Sequence, residues 1–282
     1  MTAGGAMVDG PSWASAEIDI TRPNVARVYD FYLGGSHNFE SDRTFAHTVL
    51  AVFPDLPRIV QENRAFLRRA VLYLCHQGVD QFLDLGSGIP TAENVHEVVH
   101  RANAAARVVY VDHDPVAVTH SRELLRDNDR AVAIAGDLRE PRRILDDAVT
   151  YGHLDLDRPL AVLLVSVLHF VGGEDDPVEL IAEYMDPAAP GSYLVLSHAR
   201  SDGQRGAAEA QKIYNQSRSP NPMWMRSRSE IEGLFGDLPM IEPGVVPIPR
   251  WRPDPADDDS DDADAPVVGD DYPGLAGVGR RD

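Results

Sequence analysis

Short apolar runs recur through the middle of the chain at residues 81–85, 107–111, 131–136, 160–166 and 192–197. Runs of this length without polar alternation read as strands buried on both faces. The stretches between them carry apolar residues three and four apart, the spacing of a helix with one buried face. Strand and helix alternating in this way predict right-handed crossovers and an α/β fold: a mainly parallel sheet with helices on both faces. Ahead of the first run, Arg22 to Leu33 sets Val25, Val28, Tyr29 and Tyr32 on one helical face and stops at Gly34-Gly35. Asp42 is placed to cap a second helix ending at Pro54, and Leu56 to His76 reads as a long helix stopped by Gly78. Residues 21–78 are thus predicted to form an N-terminal helical cap on a body spanning 21–252. Leu238 to Ile248 holds enough Val and Ile for one or two strands at a sheet edge, where its prolines are tolerated and where an antiparallel strand is expected.

The chemistry concentrates where the first run ends. Gln81 to Leu85 leads into Gly86-Ser87-Gly88, a helix is predicted over Thr91 to Asn103, and the next run closes on Asp112. Glycine lets the backbone approach a ligand, and a helix N-terminus behind the turn favours an anionic group. A carboxylate at the tip of the second strand can accept both hydrogen bonds of a ribose diol. The unit reads as a site for an adenosine-containing ligand. The dinucleotide fingerprint requires a small residue three positions after the second glycine. Thr91 stands there instead, and Pro90-Thr91 suits a helix start.

Several longer motifs follow one another: PNVARVYDFYLGGSHNFESDR from Pro23, NRAFLRRA from Asn63, QFLDLGSGIPT, NVHEVVH, ARVVYVDHDP, GDLREP, LLVSVLHFV, PGSYLVLSH and PGVVPIPRWRP. In this order, over roughly residues 20–253, the chain resembles a bacterial family of S-adenosylmethionine-dependent methyltransferases first grouped as a domain of unknown function. The resemblance implies a Rossmann-like fold and S-adenosyl-L-methionine as cofactor, and it names no methyl acceptor. The glycine turn and the strand ends make Asp84, Gly86, Ser87, Gly88, Asp112, His113 and Ser166 the expected donor-binding residues. The resemblance implies contacts of Asp137 with the adenine amino group and of the Leu138 amide with the ring. Each residue has a structural alternative: Asp112 and Asp137 as helix caps, His113 as an exposed loop residue. Arg27, or Arg64 or Arg68 of the next helix, is a candidate partner for the methionine carboxylate. His169, Tyr29 and His37 are candidate proton acceptors, needed only if the acceptor must lose a proton; His169 serves equally well as a structural histidine. The polar groups around Gly34-Gly35 suit a mobile cap over the donor, or a helical pair covering one sheet face.

Composition narrows the remaining choices. The net charge is −19; residues 253–282 hold ten Asp against two Arg, leaving −11 on the rest. Nucleic-acid binding rests on neutralising phosphates with Lys and Arg, so a polynucleotide acceptor is disfavoured. The apolar-poor stretches 1–20 and 253–282 are expected to be a flexible N-terminus and a disordered acidic tail. Cys75 is the lone cysteine, which excludes a disulfide framework and fits a cytoplasmic setting. The longest apolar run, Leu160 to Val171, is too short to span a bilayer. His96-Glu97-Val98-Val99-His100 matches the zinc-protease pattern H-E-x-x-H. Its helix must turn Val95, Val98, Val99 and Ala102 to the sheet, so both histidines are expected to face solvent, and no metal is assigned. The expected activity is methyl transfer to a small molecule. The alternatives are binding of S-adenosylmethionine or S-adenosylhomocysteine without turnover, and a nicotinamide-dependent oxidoreductase. Oligomeric state is left open.

Overall fold

A computed structural model describes residues 18–90, 93–203, 206–217, 221–254 and 269–282. Three helices come first: α1 (Val25–Tyr32), α2 (Glu40–Leu50) and α3 (Leu56–His76). Then β1 (Gln81–Leu85), α4 (Val95–Ala102), β2 (Arg107–Asp112), α5 (Pro115–Leu124), β3 (Ala131–Ala135), α6 (Pro141–Thr150) and β4 (Ala161–Val165) alternate. After them come α7 (Pro177–Met185), β5 (Tyr193–Ala199), α8 (Ala207–Gln216), α9 (Arg228–Gly233), β6 (Val246–Pro247) and β7 (Gly274–Arg280). The sheet has seven strands in the order β3-β2-β1-β4-β5-β7-β6. Strands β1 to β5 are mutually parallel, and β7 runs antiparallel to both β5 and β6. The chain reverses its direction of growth at β1, which lies between β2 and β4. A cleft opens at such a switch point, beyond the carboxyl ends of the strands.

Both sheet faces are apolar. Phe82, Val108, Tyr110, Leu163, Val195 and Val278 pack under α3 and α4. Leu83, Val109, Ile134, Val162, Leu194 and Leu275 face the opposite way, against α6, α7 and α9. The alternation follows the two-residue period of a strand, and burial of both sets explains why the runs looked continuous. Trp251 explains the PRWRP motif. Its indole is fully buried against Phe66 and Tyr73 of α3, while buried Arg69 donates to the carbonyls of Trp251 (2.9 Å) and Ile248 (3.1 Å).

Three expectations are corrected. The stretch 253–282 does not behave as one disordered tail: β7 lies inside the sheet and pairs with β5 over seven residues. Leu275, Ala276 and Val278 are fully buried. Gly274, Gly277 and Gly279 lower the apolar content of the segment, yet the structure needs them small. A Cβ on Gly277 would lie 3.0 Å from Phe235 and 3.1 Å from Met240, and one on Gly279 would lie 3.1 Å from Leu238. The acidic stretch 255–268 and residues 1–17 lie outside the described residues. The segment 238–248 provides the edge strand β6 of two residues and an isolated bridge from Met240 to Gly279. The strand antiparallel to the rest is β7, one position inside that edge. Finally, α4 begins at Val95, later than the turn suggested, with Thr91 outside the described residues.

The histidines of α4 are also placed differently. His96 is buried, its Nδ1 2.8 Å from the Tyr110 hydroxyl, and its backbone amide donates to the same oxygen. His100 Nε2 lies 3.0 Å from the Ala106 carbonyl, and Glu97 accepts from the Asn94 amide at the helix start. Each residue of the HExxH match thus has a structural partner. Among the described residues no group of three His, Cys, Asp or Glu could hold a metal ion. Nor is any helix among them long and apolar enough to cross a membrane.

Candidate active site

Strand β1 carries Asp84 into the cleft and ends in the glycine turn. Gly86 and Gly88 both have positive φ, at 69° and 68°. At Gly86 a side chain would overlap Val167, 2.3 Å away, whereas Gly88 faces open space along the cleft wall. The turn is folded back onto β2. The amides of Gly86 and Ser87 donate to the Val111 carbonyl (2.8 and 3.1 Å), and that of Gly88 donates to Asp112 Oδ2 (2.7 Å). All three amides are therefore engaged inside the protein. A pyrophosphate cradle needs free N–H groups, so this turn is ill suited to a dinucleotide.

Asp112 sits at the tip of β2, buried, with Oδ1 accepting from the Asp114 amide at 2.8 Å. Each carboxylate oxygen has one amide partner and a second lone pair for a ligand hydroxyl. Asp112 thus holds the turn and faces the cleft; helix α5 is capped instead by Asp114, which accepts from Val116 at 2.7 Å. Next to it, His113 is half exposed, borders the cleft and lies 3.4 Å from Asn221. Asp137, after β3, borders the cleft with Leu138. Arg139 grips its carboxylate through Nε and NH2, which holds its pKa below the usual carboxylate range. Asp84 is buried, and burial raises its pKa from the usual 3.8 to about 7 against the opposing pull of nearby Arg64. Ser166 follows β4 with φ of 55°, an uncommon value for a residue with a side chain. The cleft bordered by these residues encloses about 1010 Å³, open solvent included.

Among the predicted arginines, Arg64 borders the cleft and donates to the Glu93 carbonyl at 3.1 Å. Arg27 does not. Its guanidinium is buried against Asp42 at 3.1 Å and donates to the carbonyls of Asp19 and Arg22. A fully engaged Arg27 is a strut of the cap, so its assignment to the donor is corrected. Asp42 also accepts from the amides of Asn24 and Phe39, organising the start of α1 and α2 together. Arg68 pairs with Glu93 and Asp254 outside the cleft wall.

Of the three candidate proton acceptors, His37 borders neither this cleft nor the cavity beside it. Its ring packs 4.1 Å from that of His120, and its amide donates to Asp30. Gly35 is confined by the same Asp30, which leaves no room there for a Cβ. Tyr29 borders the cleft, but burial raises its phenol pKa, and its hydroxyl is held between Asn63 and the Val60 carbonyl. His169 lies in a 3₁₀ turn (Leu168–Phe170) after β4, outside the cleft and on the adjoining cavity.

Two polar residues that the sequence reading passed over join these parts. Asn63 donates to the Tyr29 hydroxyl (3.0 Å) and accepts from Ser197 Oγ (2.6 Å), which in turn accepts from the Ser166 amide (3.0 Å). The chain of bonds ties α1, α3, β4 and β5 together where the cleft meets the adjoining cavity. Asn63 carried a legible signal, since it interrupts the apolar stripe Val60, Leu67, Val71 and Leu74 of α3 at helical spacing. Ser197 had none beyond its place near the end of a strand.

The family model for S-adenosyl methyltransferases matches residues 11–281. The chain belongs to the S-adenosyl methyltransferase family. Two crystal structures resemble it over nearly the whole length. A proposed methyltransferase from Thermobifida fusca YX is 38% identical, with 93% of this chain and 96% of that chain covered and a TM-score of 0.84. A DUF574 family protein from Streptomyces avermitilis MA-4680 is 32% identical, with 93% and 98% covered and a TM-score of 0.85. No curated protein matches the sequence. The residues fit the methyl donor that the family name implies. Asp112 offers free lone pairs to a ribose diol, Arg64 offers a cation near the mouth, and Asp84 offers a carboxyl to a positively charged ligand.

Proposed function

We propose that the protein transfers the methyl group of S-adenosyl-L-methionine to a small-molecule acceptor, and that the donor occupies the cleft at the ends of β1, β2 and β4. The observation that carries this reading is the pairing of Asp112 with the turn. One carboxylate closes the glycine turn onto β2, uses up the amide that a phosphate would need, and still presents acceptor lone pairs to a diol. Asp112 would hold the ribose, Asp137 and Leu138 would border the adenine, and Arg64 would meet the methionine carboxylate. Bound there, the donor supplies a sulfonium-activated methyl group. The protein then has to position the acceptor and exclude water. A cytoplasmic setting and an acceptor other than nucleic acid belong to the same reading, supported by the lone Cys75 and the net charge of −19.

Calorimetry with S-adenosylmethionine, S-adenosylhomocysteine and NAD tests the site. The first two should bind and NAD should not; binding of NAD alone would overturn the assignment. Release of S-adenosylhomocysteine in the presence of an acceptor separates transfer from binding without turnover.

A further inference from the structure

A second cavity of about 800 Å³, open solvent included, adjoins the cleft. The two share Val25, Tyr29, Asn63, Ser166 and Phe170 as walls, so the polar chain from Tyr29 to Ser166 marks their common neck. Beyond the neck the chemistry changes. The donor cleft is bordered by Asp84, Asp112, Asp137, Arg64 and Arg139. Among the described residues of the second cavity there is no Asp, Glu, Lys or Arg. Its walls are aliphatic, aromatic and thioether groups, among them Val49, Phe53, Ile59, Met223 and Met225. Tyr32 of α1 and Tyr214 of α8 bring adjoining hydroxyls to the same wall.

Two histidines border this space. His198 is spent: Nδ1 lies 2.7 Å from the Ala199 carbonyl, and Nε2 lies 2.8 Å from an Arg226 nitrogen. An arginine can only donate, so Nε2 accepts, the proton sits on Nδ1, and the ring is neutral. Arg226 also donates to the carbonyls of Leu168 and Val171, which fixes the turn that presents His169. His169 differs. It is 93% buried, being 7% exposed, and its Nδ1 is shielded without a hydrogen-bond partner. A buried polar nitrogen left in that state has lost its water without gaining a partner, a penalty that a ligand can relieve.

We propose that this second cavity holds the methyl acceptor, and that the acceptor is an uncharged, mainly apolar ring compound whose hydroxyl hydrogen-bonds the His169 imidazole. Calling the occupant an acceptor rests on the methyl-transfer reading; the cavity's chemistry does not. A formal charge would enter uncompensated among apolar walls, which excludes amino acids, nucleotides and sugar phosphates. A hydroxyl can donate to or accept from an imidazole nitrogen, so it satisfies either tautomer of His169. Burial, with His198 and Arg226 close by, lowers the His169 pKa well below its ordinary value. The ring is therefore neutral at physiological pH and suited to recognising a hydroxyl more than to holding a proton.

The test is calorimetry on the full chain, with and without saturating S-adenosylhomocysteine. The probes are phenol, 2-naphthol and 4-hydroxybiphenyl, with naphthalene and 2-naphthoate as controls. At least one phenol should bind, and 2-naphthoate should bind at least about tenfold more weakly than 2-naphthol. His169→Phe should cost 2-naphthol about 3- to 10-fold in affinity, leave naphthalene unchanged, and be rescued in part by His169→Asn. Ala210→Phe, which fills the cavity from α8, should abolish phenol binding while S-adenosylhomocysteine affinity stays intact, a control for folding. Failure of every phenol to bind, equal binding of 2-naphthoate, or phenol affinity indifferent to both substitutions would overturn the proposal. Failure of S-adenosylhomocysteine to bind would count instead against the donor site, because the cavity's preference is read without it as well.

Discussion

Asp84 shows how one side chain can report both folding and ligand. Burial lifts its pKa from 3.8 to about 7. The native state therefore keeps a proton that the unfolded chain has released above pH 4. Where the native state binds the extra proton, stability falls as pH rises, here between about pH 4 and 7. Asp84→Asn removes that titration while keeping the shape. Thermal melts of the variant and the parent should diverge in the variant's favour as pH rises from 4 to 7, with a constant gap above. A gap independent of pH would show that Asp84 ionises normally. Above pH 7, where the parent carboxyl is ionised, the same substitution should weaken S-adenosylmethionine, because Asn brings no negative charge to a sulfonium.

Asp112 makes a second residue-scale prediction. Its two oxygens hold the Gly88 and Asp114 amides as well as any diol. Asp112→Ala should cost about 1.5–3 kcal/mol of donor binding, roughly 10- to 150-fold in calorimetric Kd. It should also lower the melting temperature, because two amides lose their partner. A change in stability with donor affinity untouched would assign Asp112 to the turn alone.

At the scale of elements, β7 carries the sharpest expectation. It completes β5 and receives β6, and Arg200 and Tyr272 anchor its entry through Asp270 and Glu62. Ending the chain at residue 268 would expose β5 and the apolar side chains beneath α9. Such a truncation should fail to give a cooperative melt by circular dichroism. A milder change tests the packing: Gly277→Val forces a branched side chain against Phe235, Met240 and Val245, and should cost about 1–3 kcal/mol in denaturant unfolding. The helical cap behaves likewise as a packed element. The Tyr29 hydroxyl, bonded by Asn63, ties α1 to α3, Asn63 ties α3 to β5 through Ser197, and Val25, Ala26 and Tyr29 line the cleft.

For the whole molecule, the reading predicts linkage between ligand and stability. S-adenosylmethionine at 100 times its Kd should raise the unfolding free energy by about 2.7 kcal/mol. In a domain of this size that corresponds to a rise in Tm of roughly 5–10 °C. NAD at the same concentration should leave the melt unchanged, and a matching rise with NAD would contradict the donor assignment.

What the sequence determined by itself is whatever depends on local order along the chain. The five parallel strands, the long helix α3, the Gly86-Ser87-Gly88 turn and the acid at residue 112 are set by periodicity and by residue type at a strand end. The family motifs are equally local, and with them the family was legible. The tertiary structure decided what depends on partners distant in sequence. Arg27 looked available until Asp42, Asp19 and Arg22 took up its donors; His37 lay in the right segment but beside His120; His96 and His100 turned inward to Tyr110 and Ala106. The segment at 274–280 reads as glycine-rich because its side chains must be small enough for α9 and the loop after it. No window of sequence contains Phe235 and Gly277 together. Asn63 and Ser197 are separated by 134 positions, and only folding places their 2.6 Å hydrogen bond at the neck of the site.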